Sequence, residues 1–407
     1  MKKRKLAIVS VVILFCLLFL ELTTYLALSV IEKNWSFPAT QRLLVLESNQ
    51  FIVDRSSAEC NYNDALYPHP YLAHVHHDLP PCGLSSLNRA GQEGGEIPVG
   101  GDRNAFTILL TGGSVANQMA AGPNFLEDEL NRKYRAPSGS MFRVVSAADG
   151  AWKQPQEAIS TLLFLPDVDG VVSVEGFNEH YMLRSHQVFE LPSQNFTVVS
   201  PTVYGDLLTL AKVDVLSHVV AFLRSTQPFR SSYLCYLGAK AFSRWSSKLL
   251  DNGSDRQRVL SRLFAFPDEW SLKMRSDHNL KRYLYYLESM AALASYHRKQ
   301  IAIFLQPIPH AKTFLTEEER SKIGDQSYVP TYMRMHDTAL GLRKRGVPIE
   351  TLLKVFADQK ETIFSDWIHC RWTRDDPVHK NLGYEIMAKA IAVRLAALWK
   401  FQKKTGP

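Results

Sequence analysis

"TILLTGGSVANQM", residues 107–119, decides how the chain is read. Ile108, Leu109 and Leu110 form an apolar run of the kind found in a strand buried on both faces. The run enters Thr111-Gly112-Gly113-Ser114 and then a stretch that can be helical. A strand-to-helix turn of this composition either simply reverses the chain or holds Ser114 up as a nucleophile.

Working outward, the same pattern recurs. "AFTILLTGGS" (105–114), "FRVVSAADG" (142–150), "VDGVVSVEGFNEH" (168–180), "QIAIFLQPIPH" (300–310) and "GVPIETL" (346–352) read as strands. "NFLEDELNRKY" (124–134), "QEAISTLLFLP" (156–166) and the closing "LGYEIMAKAIAVRLAALWKF" (382–401) read as helices, the last with apolar residues at helical spacing. Alternation of this kind predicts an α/β fold with a parallel sheet covered on both faces. Functional residues then belong at the carboxyl ends of the strands. Three strands end in Ser114, Gly150 and Gly176-x-Asn178. Residues 181–295 interrupt the alternation and read as a helical insertion that caps the sheet or covers the site.

The flanking regions set the compartment. Four of the seven excess positive charges are Lys2, Lys3, Arg4 and Lys5, which leaves about +3 for the rest. That is too little for a nucleic-acid partner. Residues 6–31, "LAIVSVVILFCLLFLELTTYLALSVI", are long and apolar enough to span a bilayer, Glu21 being the awkward residue. The basic residues 1–5 keep that end in the cytoplasm, so the rest of the chain is expected outside it. A cleaved signal peptide ending near Ala27-Leu28-Ser29 is the competing reading. Residues 32–104, rich in Pro, Gly and His, are expected to be a stalk and lead-in to a domain at 105–401. His69, His74, His76 and His77 are read as a solvated loop, not as metal ligands.

Of the five cysteines, Cys16 falls in the apolar segment. Cys60 and Cys82 are the nearest pair among Cys60, Cys82, Cys235 and Cys370, and no CxxC or zinc-ligand spacing occurs. Asn34, Asn195 and Asn252 each begin an N-x-[ST] sequon.

Near the end, "TIFSDWIHCRWTRDDPVHKNLGYEIMAKA" contains two Asp-x-x-His pairs, Asp366/His369 and Asp376/His379. A histidine beside a serine can take its proton, while the carboxylate orients the imidazole and stabilises its charged form. The backbone N–H groups of Ser114 and Gly150, with the Asn178 amide, would hold an oxyanion. Each residue also has an ordinary role open to it: Ser114 as a helix cap, Gly150 as a turn glycine, Asn178 as a capping residue. Their joint placement at three strand ends and before the last helix favours the chemical reading.

These blocks resemble the SGNH (GDSL-type) hydrolase superfamily. Gly113-Ser114 matches the nucleophile block, Gly150 the second-block glycine, Gly176-Phe177-Asn178-Glu179 the Gly-x-Asn-Asp block, and an Asp-x-x-His the last. The chain departs in reading Gly-Gly-Ser for Gly-Asp-Ser and in carrying Glu179 for the usual Asp. The resemblance covers about 105–180 and 300–400. It implies a three-layer α/β/α sandwich around a five-stranded parallel sheet, flavodoxin-like in arrangement. It also implies a Ser-His-Asp acyl-enzyme mechanism on an acyl ester, needing no metal or organic cofactor. Asp366/His369 is preferred over Asp376/His379 by its distance from the fifth strand. Topology and resemblance together suggest O-acyl groups of a cell-envelope or exported glycan, acetyl groups above all, with lipid and thioester substrates left open. The reading from a different class is a non-catalytic, anchored scaffold that uses 181–295 to bind an assembly partner.

Overall fold

The computed structural model describes residues 12, 15–16, 18–26, 66–69, 71–76, 87–102, 104–120, 124–137, 141–191, 232–233, 238, 264–372 and 381–404. Contacts group the chain into two units, one of residues 1–64 and 200–259, the other of 65–199 and 260–407.

The larger unit begins with an antiparallel hairpin, β1 (Leu66–His69) and β2 (Ala73–His76). Its sheet has five parallel strands: β3 (Ala105–Gly112), β4 (Met141–Ala148), β5 (Gly170–Glu175), β6 (Gln300–Leu305) and β7 (Ile349–Thr351). Their order is β4-β3-β5-β6-β7. All five expected strands are present. Ile108, Leu109, Leu110, Val144, Val145, Val171, Val172, Ile303 and Phe304 are fully buried. A run that is apolar on both faces can be stable only between two covering layers, which is why these strands lack polar alternation.

The covering helices are α1 (Ser114–Ala120), α2 (Phe125–Lys133), α3 (Gln156–Phe164), α4 (Phe177–Met182), α5 (Leu272–Tyr296), α6 (Glu317–Lys322), α7 (Val329–Leu340) and α8 (Leu382–Leu398). One group, α1, α2 and α8, packs together and onto the sheet; α3 and α5 pack as a separate group. Helix α8 buries Gly383, Tyr384, Met387, Ala388, Ile391, Ala392 and Leu395, the spacing of a single helical face. Asn124 caps α2 by accepting from the Glu127 N–H, and Ser271 caps α5 by accepting from that of Met274. Chain order reverses about β3, with β4 on one side and β5 on the other. The carboxyl ends of β3 and β5 are thus neighbours at a topological switch point, where open α/β sheets place their ligands.

Within the stretch 32–104, expected as stalk and lead-in, residues from 65 onward group with the unit of the sheet. One expectation is corrected. His74 and His76 are not solvated: they lie on β2, 0% and 5% exposed, against Asp149. Burial beside a carboxylate fixes them where composition alone suggested a loop. The expected insertion is also divided. Its end, α5, lies on α3 and β6, while 200–259 group with the N-terminal residues.

In the smaller unit, residues 18–26 are helical. The Glu21 carboxylate accepts hydrogen bonds from Ser232 Oγ at 3.0 Å and from the Tyr233 N–H, and the Tyr25 and Tyr233 rings lie 5.2 Å apart. Among the described residues no helix is long and apolar enough to cross a membrane. Much of the apolar segment 6–31 lies outside them, as do Cys60, Cys82, Cys235, His77 and the asparagines of the three sequons. Cys370 is buried and forms no disulfide; Cys16 is exposed and free.

Candidate active site

One residue, Gly113, separates Ser114 from the end of β3, and Ser114 opens α1. Two glycines precede it for different reasons. Gly112 has φ +147°, and a Cβ there would stand 2.3 Å from the Val174 carbonyl of the neighbouring strand. At Gly113 a Cβ would stand 2.5 Å from Asn178 Nδ2 and 3.1 Å from the Trp152 carbonyl. Only a residue without a side chain lets β3, the Asn178 amide and the Trp152 backbone meet at this point.

Ser114 Oγ lies 2.7 Å from His369 Nε2. On the other side of the ring, His369 Nδ1 lies 2.7 Å from Asp366 Oδ2. Asp366 Oδ1 accepts from the backbone N–H of Ile368 at 2.8 Å and of His369 at 2.7 Å. The Asp-x-x-His spacing thus forms one tight turn in which the carboxylate holds both the backbone and the ring of its histidine. Burial pushes the Asp366 carboxyl up, but the His369 ring and these two N–H groups outweigh it and hold the carboxyl below its usual range. An ionised Asp366 favours the tautomer with the proton on Nδ1, which leaves Nε2 free to accept from Ser114.

Residues not singled out from the sequence support this turn. Phe364 and Cys370 form a bridge, and the Arg371 N–H donates to the Ile363 carbonyl at 2.8 Å, closing the loop at its base. Glu319 Oε1 accepts from the N–H groups of Ile363 at 2.9 Å and Phe364 at 3.1 Å. The fully buried Lys312 ammonium lies 2.9 and 2.7 Å from the two Glu319 oxygens. At the tip, the Tyr328 hydroxyl donates to the Trp367 carbonyl at 3.2 Å. The signal for Glu319 was its capping box with Thr316, which marks a helix start and nothing further.

The three expected oxyanion donors differ in position. Asn178, at the start of α4, donates from Nδ2 to the Trp152 carbonyl at 2.7 Å, which fixes the amide and leaves its second hydrogen. Glu179 anchors that segment: Oε1 accepts from the Gln154 N–H and Oε2 from the Gly176 N–H, both at 2.9 Å. At Gly150 the structure departs from expectation. Its N–H donates to Asp149 Oδ1 at 2.6 Å and so is directed at a carboxylate. Asp149 is fully buried, and also accepts from Gln92 Nε2 at 3.1 Å and lies 3.0 Å from His76 Nε2. Burial raises the Asp149 carboxyl, but the contacts with His76, His74 and Gln92 outweigh that and lower it. The second Asp-x-x-His pair, Asp376 and His379, lies outside the described residues.

No protein-family model and no curated protein matches this sequence. Among solved structures, the chain is similar to a lipase/acylhydrolase from Enterococcus faecalis, with a TM-score of 0.34 and 9% identity over 74% of this chain and 99% of that one. It is similar to a GDSL-like lipase from Bacteroides thetaiotaomicron, with a TM-score of 0.32 and 10% identity over 72% and 88% of the two chains. An acetyl xylan esterase is matched with a TM-score of 0.31 and 9% identity over 72% and 98%. The functional reading that follows rests on the geometry of the site itself.

Proposed function

We propose that this chain is a serine esterase or O-acyltransferase of the SGNH type, acting on acyl esters with Ser114 as nucleophile. The observation that carries the reading is the Ser114–His369–Asp366 relay, two contacts of 2.7 Å among residues drawn from two distant segments. Ser114 Oγ attacks the ester carbonyl carbon while His369 Nε2 takes its proton. Asp366 stabilises the resulting imidazolium. The Ser114 N–H and the free Asn178 amide hydrogen hold the tetrahedral oxyanion. The Gly150 N–H is left out of this set because Asp149 takes it. His369 then returns the proton to the leaving alkoxide, and the acyl group passes from Ser114 to water or to a sugar hydroxyl. No step needs a metal or organic cofactor. Acetyl esters of an envelope or exported glycan are the substrates we favour.

We further infer that residues 6–31 anchor the chain in a membrane, with 1–5 in the cytoplasm and the esterase unit outside it. Support comes from the apolar run itself and from the exposure of Leu18, Phe19, Leu20, Leu22 and Leu26 on the helical residues 18–26. The bonds from Ser232 and Tyr233 to Glu21 give its carboxylate partners within its own unit.

The test is hydrolysis of a chromogenic acetyl ester by the purified full chain. Ser114→Ala and His369→Ala are expected to lose about 10⁴-fold or more, leaving only residual turnover. Equal rates in wild type and Ser114→Ala overturn the reading and leave the anchored scaffold in its place.

A further inference from the structure

Behind the Asn178 segment lies a group of side chains that the proposed chemistry does not use. Glu157 on α3, Glu175 at the end of β5 and Glu179 on α4 are 0%, 1% and 1% exposed. Each can offer one carboxylate oxygen such that the three oxygens all lie within 4.8 Å of one another. Three carboxylates so close and so deeply buried carry a large desolvation cost unless positive charge balances them. Among the described residues no Lys, Arg or His forms an ion pair with any of the three. The Lys153 charge acts on Glu157 and Glu179, but its ammonium donates to the carbonyls of Gln154 at 2.9 Å and Phe189 at 2.6 Å, and sits over the Phe189 ring.

Five of the six carboxylate oxygens already accept hydrogen bonds. Ser173 Oγ donates to Glu175 Oε1 at 2.7 Å, and Gln154 Nε2 reaches Glu175 Oε2 at 3.2 Å and Glu157 Oε2 at 3.0 Å. Both Glu179 oxygens accept from backbone N–H groups. Donors arranged behind carboxylates in this way are what orients them in a cation site. A second observation comes from α5. The Tyr283 hydroxyl is fully buried and has no hydrogen-bond partner, and burial together with the charges of Glu175, Glu179 and Glu157 pushes its pKa up. A buried hydroxyl oxygen without a partner, close enough to feel all three carboxylates, is one further lone-pair donor with nothing to bind.

We propose that Glu157, Glu175 and Glu179, with Tyr283 beside them, form a structural site for one hard divalent cation, Ca²⁺, Mg²⁺ or Mn²⁺. The donor set is entirely oxygen, which selects these ions over zinc or copper. An ion equidistant from three oxygens at that spacing lies within about 2.8 Å of each, a distance that a slight contraction brings into the calcium range. The bound ion would tie α3, β5 and α4 together beneath the Asn178 segment. The motif is invisible in the sequence because its ligands come from a helix face, a strand end and the next helix, without a recurring spacing. The site stands independently of the Ser114 chemistry.

The experiment uses the purified full chain, dialysed against metal-free buffer, with metal content read by mass spectrometry and stability by the melting midpoint. We expect about one equivalent of metal to be retained. EDTA should lower the midpoint by several degrees, and one of Ca²⁺, Mg²⁺ or Mn²⁺ should restore it. Glu157→Gln, which keeps the shape and removes a charge, should lose both the metal and the response to EDTA. If that variant does not fold, the wild-type comparison with and without EDTA still decides. Absence of retained metal together with a midpoint unmoved by EDTA or by any of the three ions overturns the proposal, because protons then balance the cluster. Full metal retention in folded Glu157→Gln overturns the assignment to these residues.

Discussion

Two of the aspartate–histidine contacts in the larger unit do different things. Asp366 and His369 meet at 2.7 Å with side chains 36% and 27% exposed, and the far nitrogen of His369 faces Ser114. Asp149 and His76 meet at 3.0 Å with side chains 0% and 2% exposed. There the same carboxylate oxygen also takes the Gly150 N–H, and Gln92 holds the other. The pairing alone does not make a general base. What distinguishes His369 is a solvent-reachable edge and a serine hydroxyl on its Nε2. Asp149 has the role of a buried fastener, joining the β2 hairpin strand to the loop that leaves β4.

Breaking each pair should give opposite signatures. The largest expected effect is at His369: His369→Ala should reduce ester hydrolysis by about 10⁴–10⁶-fold with a nearly unchanged melting midpoint. Asp366→Asn should follow, at about 10²–10⁴-fold, because the amide no longer favours the tautomer with Nε2 free. Steady-state rates and melting curves on the same samples check both. Asp149→Asn should instead act on stability, by about 3–5 kcal/mol, since it removes one partner of a buried charged contact.

The pH dependence sharpens the contrast. The carboxyl of Asp149 is held below its usual value in the folded chain. Its contribution is therefore fully present above the unfolded value near about 4 and is lost as pH falls through the folded one. Denaturant titrations across that range should show the gap between wild type and Asp149→Asn closing toward acid. The smallest expected effect is at His379: rates for His379→Ala within about threefold of wild type would fit a residue outside the relay. A loss as large as that of His369→Ala would move the base to the second Asp-x-x-His.

Much of this was legible in the chain. Apolar runs such as Ile108–Leu110 and Val171–Val172 are unmistakable because strands buried on both faces cannot alternate. Ser114 and Asn178 could be placed because strand ends in such sheets converge at the switch point. His74 and His76 could not. Their burial depends on a hairpin packed against Asp149, a tertiary contact with no periodicity in "YPHPYLAHVHH". The direction of the Gly150 N–H was equally hidden, since it is set by the side chain of the residue before it. Lys312 and Glu319 are charged residues that normally mark a surface, and only the structure shows them paired and buried under the Asp366 turn.

The most direct test of Ser114 as an activated nucleophile needs no knowledge of the substrate. The full chain would be treated with a fluorophosphonate probe and measured by intact-mass spectrometry beside Ser114→Ala and His369→Ala. We expect a single adduct on wild type that maps to Ser114, with none on Ser114→Ala and almost none on His369→Ala. A folded wild type that takes no label, or an adduct that persists in Ser114→Ala, would contradict the account.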